Sequence, residues 1–278
     1  MKNKPRSHWQ IVISVFLALA LAFESAPASY AAPAIPSSMA ALGDSITVAY
    51  NTGAWFAPAP ANSWSTGTNA TVNSMYLRFL AQNPAISGNN VNLAVPGKKM
   101  VDLNGQASQV GAATEYVTIL MGANDVCTSS VSTMTSVATF RSQFETAMNT
   151  LTAQAPNATI YVVSIPNVYL LYDLFKGNST ARFTWSLYQI CQSLLANPLS
   201  TRARDVKRRA AVQQRNVDFN TQLAEACALY PNCVFDNNVA FNTAYVASDV
   251  STRDYFHPSL AGQTKLANVA WGASGFGP

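Results

Sequence analysis

Short apolar runs alternate with longer segments of helical period along most of this chain, and this alternation limits the folds open to it. Apolar runs that lie between helices are typical of buried parallel strands, because a parallel connection needs a crossover helix. The pattern predicts an α/β fold, a three-layer α/β/α sandwich around a five-stranded parallel sheet. The predicted strands are 39–42, 91–95, 116–121, 159–165 and 233–235, and the predicted helices are 74–82, 135–155, 180–195, 205–229 and 259–271.

Two stretches interrupt the alternation. Residues 51–71 follow the first predicted strand directly and are rich in Pro, Trp, Ser, Asn and Gly, whereas residues 168–204 are too long for a simple crossover. Loops beyond the carboxyl ends of parallel strands are where such sheets bind ligands. The large side chains of the first stretch therefore suit either an apolar wall of a cleft or simple packing against the domain. They are Trp55, Phe56, Pro58, Pro60 and Trp64.

Residues 1–31 have the form of a secretory signal peptide. Basic residues precede an apolar run over residues 11–23, and small residues follow it. The run is shorter than the roughly 20 residues that a membrane-spanning helix needs, so we expect export, with cleavage near Ala31, and no stable membrane insertion. The remaining residues 32–278 fit a single domain.

The predicted mature chain is nearly neutral. The whole chain has a formal net charge of +4, and the signal peptide removes three basic residues and one acidic residue, which leaves +2. This balance argues against nucleic acid as the main partner. A local basic cluster suits either a solvated helix face or a transient contact with a lipid surface. Its members are Arg202, Arg204, Lys207, Arg208 and Arg209.

Four cysteines lie in the part of the chain that is predicted to be exported: Cys127, Cys191, Cys227 and Cys233. Disulfides persist outside the cell, and the cysteines show no CxxC spacing, so metal binding is the weaker interpretation. Three pairings are possible and the sequence alone does not decide among them. We favour Cys227 with Cys233, which closes a short loop, and Cys127 with Cys191.

Histidine is scarce, and this narrows the choice of a catalytic base. The chain has two histidines, and His8 leaves with the predicted signal peptide, so a histidine base in the mature protein must be His257. Asp254 lies three residues earlier, from where a carboxylate in a turn can bond the Nδ1 proton and leave Nε2 free. The alternative is a structural histidine that packs or caps at the start of the last predicted helix.

Ser45 is the candidate nucleophile. It follows Gly43 and Asp44 at the carboxyl end of the first predicted strand, where side chains are exposed at the functional edge of the sheet. A tight turn at Gly43 followed by a helical turn would aim backbone N–H groups, including that of Ser45, at an anion beside the hydroxyl. The alternative is an ordinary helix cap at this strand end.

Two further strand ends carry residues that can donate hydrogen bonds to an oxyanion. Gly97 follows the second predicted strand and offers its backbone N–H, and Asn124 follows the third and offers its side-chain amide. Glycine and asparagine are also common turn residues. The occurrence of all these features in one chain favours a catalytic interpretation over coincidence.

Together these segments resemble the SGNH hydrolases, also called GDSL esterases and lipases, over nearly the whole predicted mature chain. The matching blocks are Gly43-Asp44-Ser45, Gly97, Gly122-Ala123-Asn124-Asp125 and the segment from Asp254 to His257. The resemblance implies the flavodoxin-like SGNH-hydrolase fold and a Ser-His-Asp triad of Ser45, His257 and Asp254. It also implies an oxyanion hole formed by Ser45, Gly97 and Asn124, a structural role for Asp125, and no cofactor or metal.

Finer similarity points to a substrate class. Residues 41–47, 63–67 and 124–127 are similar to the phospholipase B-like branch, which cleaves acyl chains from glycerophospholipids and other lipid esters. The resemblance thus implies a secreted monomeric esterase or lipase that acts on lipid acyl esters through an acyl-enzyme. An acetyl esterase of acetylated carbohydrates on the same scaffold is the alternative. A secreted binding protein that lost catalysis is disfavoured because every catalytic position is filled.

Overall fold

The computed structural model describes residues 1–3 and 34–277. Apart from residues 1–3, the predicted signal peptide and its cleavage site lie outside the described residues. The described residues 34–277 belong to one compact unit. In the part of the chain that is described, no helix combines the length and the apolar character needed to cross a bilayer.

Five parallel strands form the central sheet, in the order β2-β1-β3-β4-β5. Each begins within two residues of its predicted start, and each pair of neighbours is parallel. The fold class predicted from the alternation is therefore confirmed. The strands are β1 (Met39–Gly43), β2 (Asn90–Asn92), β3 (Tyr116–Leu120), β4 (Thr159–Val162) and β5 (Cys233–Phe235).

Helices cover both faces of this sheet. They are α1 (Met75–Gln82), α2 (Met100–Ala107), α3 (Ala123–Val126), α4 (Val137–Gln154), α5 (Tyr169–Phe175), α6 (Ser179–Leu187), α7 (Gln192–Leu195), α8 (Ala203–Cys227), α9 (Val239–Asn242) and α10 (Leu260–Ala273). Short 3-10 helices cover Pro60–Asn62, Pro84–Ile86, Val131–Thr133 and Ala247–Asp249.

The two-residue period of the strands divides the core into two layers. In β3, Val117 and Ile119 face a cluster that includes buried side chains of α2, α4 and α8. Tyr116 and Leu120 face the opposite cluster, which α1 and α10 complete. Alternating side chains point to opposite faces of a strand, so a mostly apolar run fills both layers.

The edge strands are less buried than their apolar sequences predicted. Val91 in β2 and Val234 in β5 are both exposed, because each strand has a neighbour on one side only. The prediction that all five strands are buried was therefore wrong at the two edges.

The predicted helix 180–195 is two helices. α6 ends at Leu187 and α7 begins at Gln192, and the turn between them places Gln189 and Cys191 at φ of 53° and 43°. Residues in this left-handed region cannot continue an α-helix. Periodicity missed this break and also missed the shorter helices α2, α3, α5 and α9.

Both favoured disulfides are present. Cys127 pairs with Cys191 and Cys227 pairs with Cys233. The first ties the turn after α3 to the break between α6 and α7, and the second closes the short connection from α8 to β5.

Candidate active site

Ser45 lies just beyond the carboxyl end of β1, in a turn that needs glycine. A Cβ on Gly43 would lie 2.5 Å from both the carbonyl oxygen of Leu120 and the Thr47 hydroxyl, which no other residue tolerates. The side chain of Gln106 bonds both the N–H and the carbonyl of Gly43, at 2.8 and 2.9 Å. Gln106 therefore holds the backbone before Ser45 through both polar groups of Gly43.

His257 contacts Ser45 and Asp254 through opposite ring nitrogens. Its Nε2 lies 2.8 Å from Oγ of Ser45, and its Nδ1 lies 2.6 Å from Oδ2 of Asp254. The other oxygen of Asp254, Oδ1, accepts the backbone N–H groups of Phe256 and His257, both at 3.0 Å. The three-residue spacing between acid and histidine thus forms a turn that fixes the carboxylate against the ring.

Asp254 is buried, and burial alone would raise its pKa. Hydrogen bonds and the charge of His257, together with the backbone N–H groups, hold the pKa of this carboxyl below its ordinary value. An ionised Asp254 keeps a proton on Nδ1 and leaves Nε2 able to accept one.

Asn51 also contacts this carboxylate from a distant part of the chain. Its side-chain amide donates to Oδ2 of Asp254 at 2.5 Å, and its own Oδ1 accepts the Phe56 N–H at 2.6 Å. Asn51 is buried and has a φ of 63°. It lies 203 residues from Asp254 in the chain, so local sequence carried no signal of the contact.

Asn124 extends from α3 toward the turn that holds Ser45. Its amide donates to the carbonyl of Lys98 at 2.9 Å and, over a longer 3.4 Å, to Oδ2 of Asp44. Asn124 and Ser45 line the same pocket.

Gly97 occupies the loop after β2, next to Lys98. The Val95 N–H bonds the Gly43 carbonyl at 3.2 Å, which brings this loop to the edge of the sheet where Ser45 lies. Gly97 has a φ of 77°. In the described part of the chain, the N–H groups of Ser45 and Gly97 donate no hydrogen bond to protein. Gly97 is not among the residues that line the pocket.

Two buried carboxyl groups adjoin the site residues in the chain: Asp44 precedes Ser45, and Asp125 follows Asn124. Burial raises the pKa of Asp44 to about 7, although the Ile46 N–H and the charge of His257 oppose this rise. Burial also raises the pKa of Asp125, whose oxygens accept the Thr135 hydroxyl at 2.6 Å and the Met100 N–H at 2.9 Å. These bonds fit the structural role expected of Asp125.

An apolar pocket opens beside Ser45 and His257. Six of its eighteen lining residues lie in residues 166–174 and eight in residues 245–266, whereas none lies in residues 51–71. In the latter stretch Trp64 is fully buried, whereas Trp55 and Phe56 are exposed and do not line the pocket. The apolar residues of the wall include Val168, Leu170, Leu171, Leu174, Phe256 and Leu266.

The predicted basic cluster separates into two groups. Arg208 donates to the carbonyls of Gln192, Ser193 and Ala196, and the buried Arg209 donates to that of Ser200. These two arginines therefore hold the segment before α8. The remaining members, Arg202, Arg204 and Lys207, are exposed.

No group of three or more His, Cys, Asp or Glu side chains within residues 1–3 and 34–277 is arranged to hold a metal ion.

Comparison with known proteins gives a family match over most of the chain. The family model described as GDSL-like lipase/acylhydrolase matches residues 39–270. No curated protein matches the sequence. Similar solved structures include an extracellular lipase from Streptomyces rimosus, at 17% identity with a TM-score of 0.49, over 84% of this chain and 99% of that one. Phospholipase A1 from Streptomyces albidoflavus NA297 is 18% identical, with a TM-score of 0.48, over 83% and 98%. A family 3 carbohydrate esterase from Clostridium thermocellum is 14% identical, with a TM-score of 0.42, over 84% and 92%.

The family match agrees with the resemblance carried by the four sequence blocks and with the five-stranded parallel sheet. Ester hydrolysis is the chemistry of this family. The chain therefore belongs to the GDSL-like lipase/acylhydrolase family.

Proposed function

We propose that the protein is a secreted serine esterase that hydrolyses lipid acyl esters, with Ser45, His257 and Asp254 as its triad. The observation that carries this proposal is the hydrogen-bonded series from Ser45 through His257 to Asp254, at the mouth of an apolar pocket. The catalytic unit is the single domain 32–278, acting as a monomer. Its two disulfides fit an oxidising compartment outside the cell.

The 2.8 Å contact gives Ser45 a base for activation. As Oγ attacks the ester carbonyl, Nε2 of His257 takes the hydroxyl proton and the ring becomes an imidazolium. Asp254 stabilises this cation through Nδ1. His257 then returns the proton to the leaving alcohol, and water hydrolyses the acyl-enzyme by the same steps in reverse.

The oxyanion that forms during the attack needs donors that are already in place. We assign this role to the N–H groups of Ser45 and Gly97, which are free of protein acceptors among the described residues, and to the amide of Asn124. The Asn124 bond to Lys98 orients the amide. Its longer contact with Asp44 is the one that a substrate oxygen would replace.

Asn51 acts in this scheme as a positioning residue. The Oδ2 atom of Asp254 accepts both the Asn51 amide and Nδ1 of His257, so Asn51 holds the carboxylate in the orientation that the histidine needs. A neutral donor at this place also favours the ionised form of the acid.

The pocket favours an acyl chain over a sugar. Leucine, valine and phenylalanine side chains dominate its wall beside Ser45, and a hydrocarbon chain that packs against them is removed from water. A polysaccharide would need convergent polar groups in their place. The apolar lining therefore supports lipid esters as substrates.

Two measurements test the proposal. A fluorophosphonate is expected to label the purified protein at Ser45 and not to label Ser45→Ala, and absence of labelling would indicate a binding protein that lost catalysis. Wild-type protein is then assayed on phosphatidylcholine, on p-nitrophenyl esters from acetate to palmitate, and on acetylated xylan. Preference for longer acyl chains supports the proposal, whereas activity confined to acetylated xylan and acetate would make the protein a carbohydrate acetyl esterase.

A further inference from the structure

Five large apolar side chains form an exposed surface, which we call the apolar patch. They belong to the loop after Asn51 and to the end of α6, and each is between 47% and 66% exposed. They are Trp55, Phe56, Phe183, Leu187 and Tyr188. A cluster of this kind is unusual on a soluble protein and marks a surface that meets something else.

Three of the five side chains form aromatic pairs, and the other two lie in α6, shortly before Tyr188 in the chain. The Trp55 and Phe56 ring centroids lie 5.9 Å apart, and those of Phe56 and Tyr188 lie 5.2 Å apart. Phe183 and Leu187 are four residues apart in α6, so they share one face of the helix, and Leu187 adjoins Tyr188 in the chain. The patch therefore spans two segments that are more than 120 residues apart in sequence.

Both segments are attached to the candidate active site. The Phe56 N–H bonds Asn51, which in turn bonds Asp254. On the other side of α6, the buried Trp185 donates its indole N–H to the carbonyl of Tyr255 at 3.0 Å. The patch thus has a defined position relative to the turn that carries His257.

The pocket and the patch draw residues from two consecutive helices. α5 contributes Leu170, Leu171 and Leu174 to the pocket wall, and only residues 176–178 separate it from α6. Apolar surface outside and apolar lining inside are therefore neighbouring parts of the same structure.

The charges around the patch suit a phospholipid surface. Arg182 precedes Phe183, and the guanidinium carbon of Arg253 lies 5.6 Å from the Trp55 ring centroid. Residues 50–60 and 179–190 contain no aspartate or glutamate. Tryptophan and tyrosine rings flanked by cations are favoured where hydrocarbon meets head groups.

We propose that the apolar patch docks the enzyme onto a phospholipid surface containing anionic head groups, with the active site facing the lipid. This inference rests on the proposed hydrolysis of lipid esters, since it supplies the route by which such a substrate reaches Ser45. The occupant is a lipid layer, not a protein partner or a polysaccharide.

Vesicle binding by the Ser45→Ala protein tests the docking without hydrolysis. The parent is expected to co-sediment with vesicles of phosphatidylcholine and phosphatidylglycerol, more tightly than with phosphatidylcholine alone. Of the tryptophans that the structure describes, Trp55 alone is exposed, so binding should shift the Trp emission to the blue. Phe183→Ser with Leu187→Ser is expected to weaken partitioning by about 10- to 100-fold, from the lost burial of two apolar side chains.

A matched control removes two apolar side chains of similar fractional exposure elsewhere. Val101 and Leu229 are 60% and 63% exposed and belong to α2 and to the turn after α8. The variant with Val101→Ser and Leu229→Ser should bind vesicles within about twofold of the parent, because these two side chains stay in water whether or not the protein is bound. Thermal unfolding of both double variants checks that they are folded, and Trp55→Ser with Phe56→Ser provides a second patch variant.

Several results would overturn the docking proposal. They are a parent that does not bind vesicles, patch variants that bind like the parent, an equal loss in the control, and a patch that instead mediates self-association in gel filtration or binding to acetylated xylan. The proposed function is judged separately, by wild-type hydrolysis of soluble long-chain esters. If the enzyme hydrolyses those esters but does not bind vesicles, the proposed function stands and the docking proposal is wrong.

Discussion

The side-chain amide of Asn51 and the carboxylate of Asp254 are joined by a 2.5 Å hydrogen bond across 203 residues of sequence. The oxygen concerned also accepts Nδ1 of His257 at 2.6 Å. A loop that lines no part of the pocket is thereby connected to the acid of the candidate triad. This contact leads to the first prediction.

Asn51→Gly is expected to lower kcat by about 10- to 100-fold, the usual effect of losing a hydrogen bond to a charged group. Glycine keeps the left-handed backbone of Asn51 while removing the amide. Without the amide the pKa of Asp254 should rise, so the acidic limb of the pH–rate profile should move to higher pH. The profile is measured with a soluble p-nitrophenyl ester.

Asn51→Asp separates the two bonds of Asn51. The aspartate still accepts the Phe56 N–H but places a second carboxylate against Asp254, so it should be more impaired than the glycine variant. Near-normal activity would mean that Asn51 serves only the loop. Asn62→Ala, which loses a 3.0 Å bond to Thr52 within the same loop, is the matched control and should leave the pH–rate profile in place.

Removing the triad members should cause unequal losses. Ser45→Ala and His257→Ala are each expected to lower kcat by about 10⁶-fold, and Asp254→Ala by about 10⁴-fold, because a histidine without its acid still accepts a proton in one tautomer. Single-turnover acylation measures these differences. An active His257→Ala enzyme would refute the assignment of the base.

Asn124→Ala should lower kcat by about 100- to 1000-fold with little change in KM, because the amide serves mainly the transition state. The side chain is partly exposed, so folding should be retained, and an unchanged unfolding temperature supplies the control. Activity close to wild type would mean that the backbone N–H groups of Ser45 and Gly97 stabilise the oxyanion without Asn124.

Asp44 should make stability depend on pH. Its pKa of about 7 in the folded protein lies above the ordinary value of 3.8, so the folded chain holds a proton that the unfolded chain has released. This carboxyl therefore lowers stability as pH rises from about 4 to 7, by up to about 4 kcal/mol, and the loss is complete above pH 7.

Asp44→Asn removes this titration. Relative to wild type, its unfolding temperature should improve steadily from pH 4 to pH 7 and then stay level. Asp173→Asn, at an exposed ion pair with Lys176, should give a small difference of nearly constant size. A level difference for Asp44→Asn across the whole range would contradict the raised pKa.

Filling the pocket should change chain-length preference. Leu174 lies in the pocket wall, and Leu174→Trp is expected to lower kcat/KM for a laurate ester at least about 10-fold relative to an acetate ester, by excluding the distal methylenes. Val101→Trp, on an exposed face of α2, should leave the ratio of the two esters unchanged. An equal fall for both esters would place the acyl chain elsewhere.

Local pattern was sufficient for much of the fold. The apolar runs predicted β1, β3 and β4 correctly because these strands are buried on both faces of the sheet. The exposure of the two edge strands and the break at Cys191 escaped prediction. Exposure at an edge and the placement of a disulfide depend on neighbours that are remote in sequence.

The candidate site was predictable only in part, for a similar reason. Ser45, Gly97 and Asn124 follow three parallel strands, whose carboxyl ends meet at one edge of the sheet, so their proximity follows from topology. Asp254 and His257 form a local turn whose spacing is visible in sequence. The sequence left open whether the large side chains after β1 line a cleft, and the pocket is lined instead by residues that include the leucines of α5.

By itself, the sequence determined the parallel α/β architecture, the family blocks and the scarcity of histidine, since each depends on residue order or on counting. Tertiary structure alone decided that Asn51 supports Asp254, that α5 lines the pocket and that Trp55 and Tyr188 share one surface. These are contacts between segments far apart in the chain, and their partners are chosen by packing geometry, which no local pattern records.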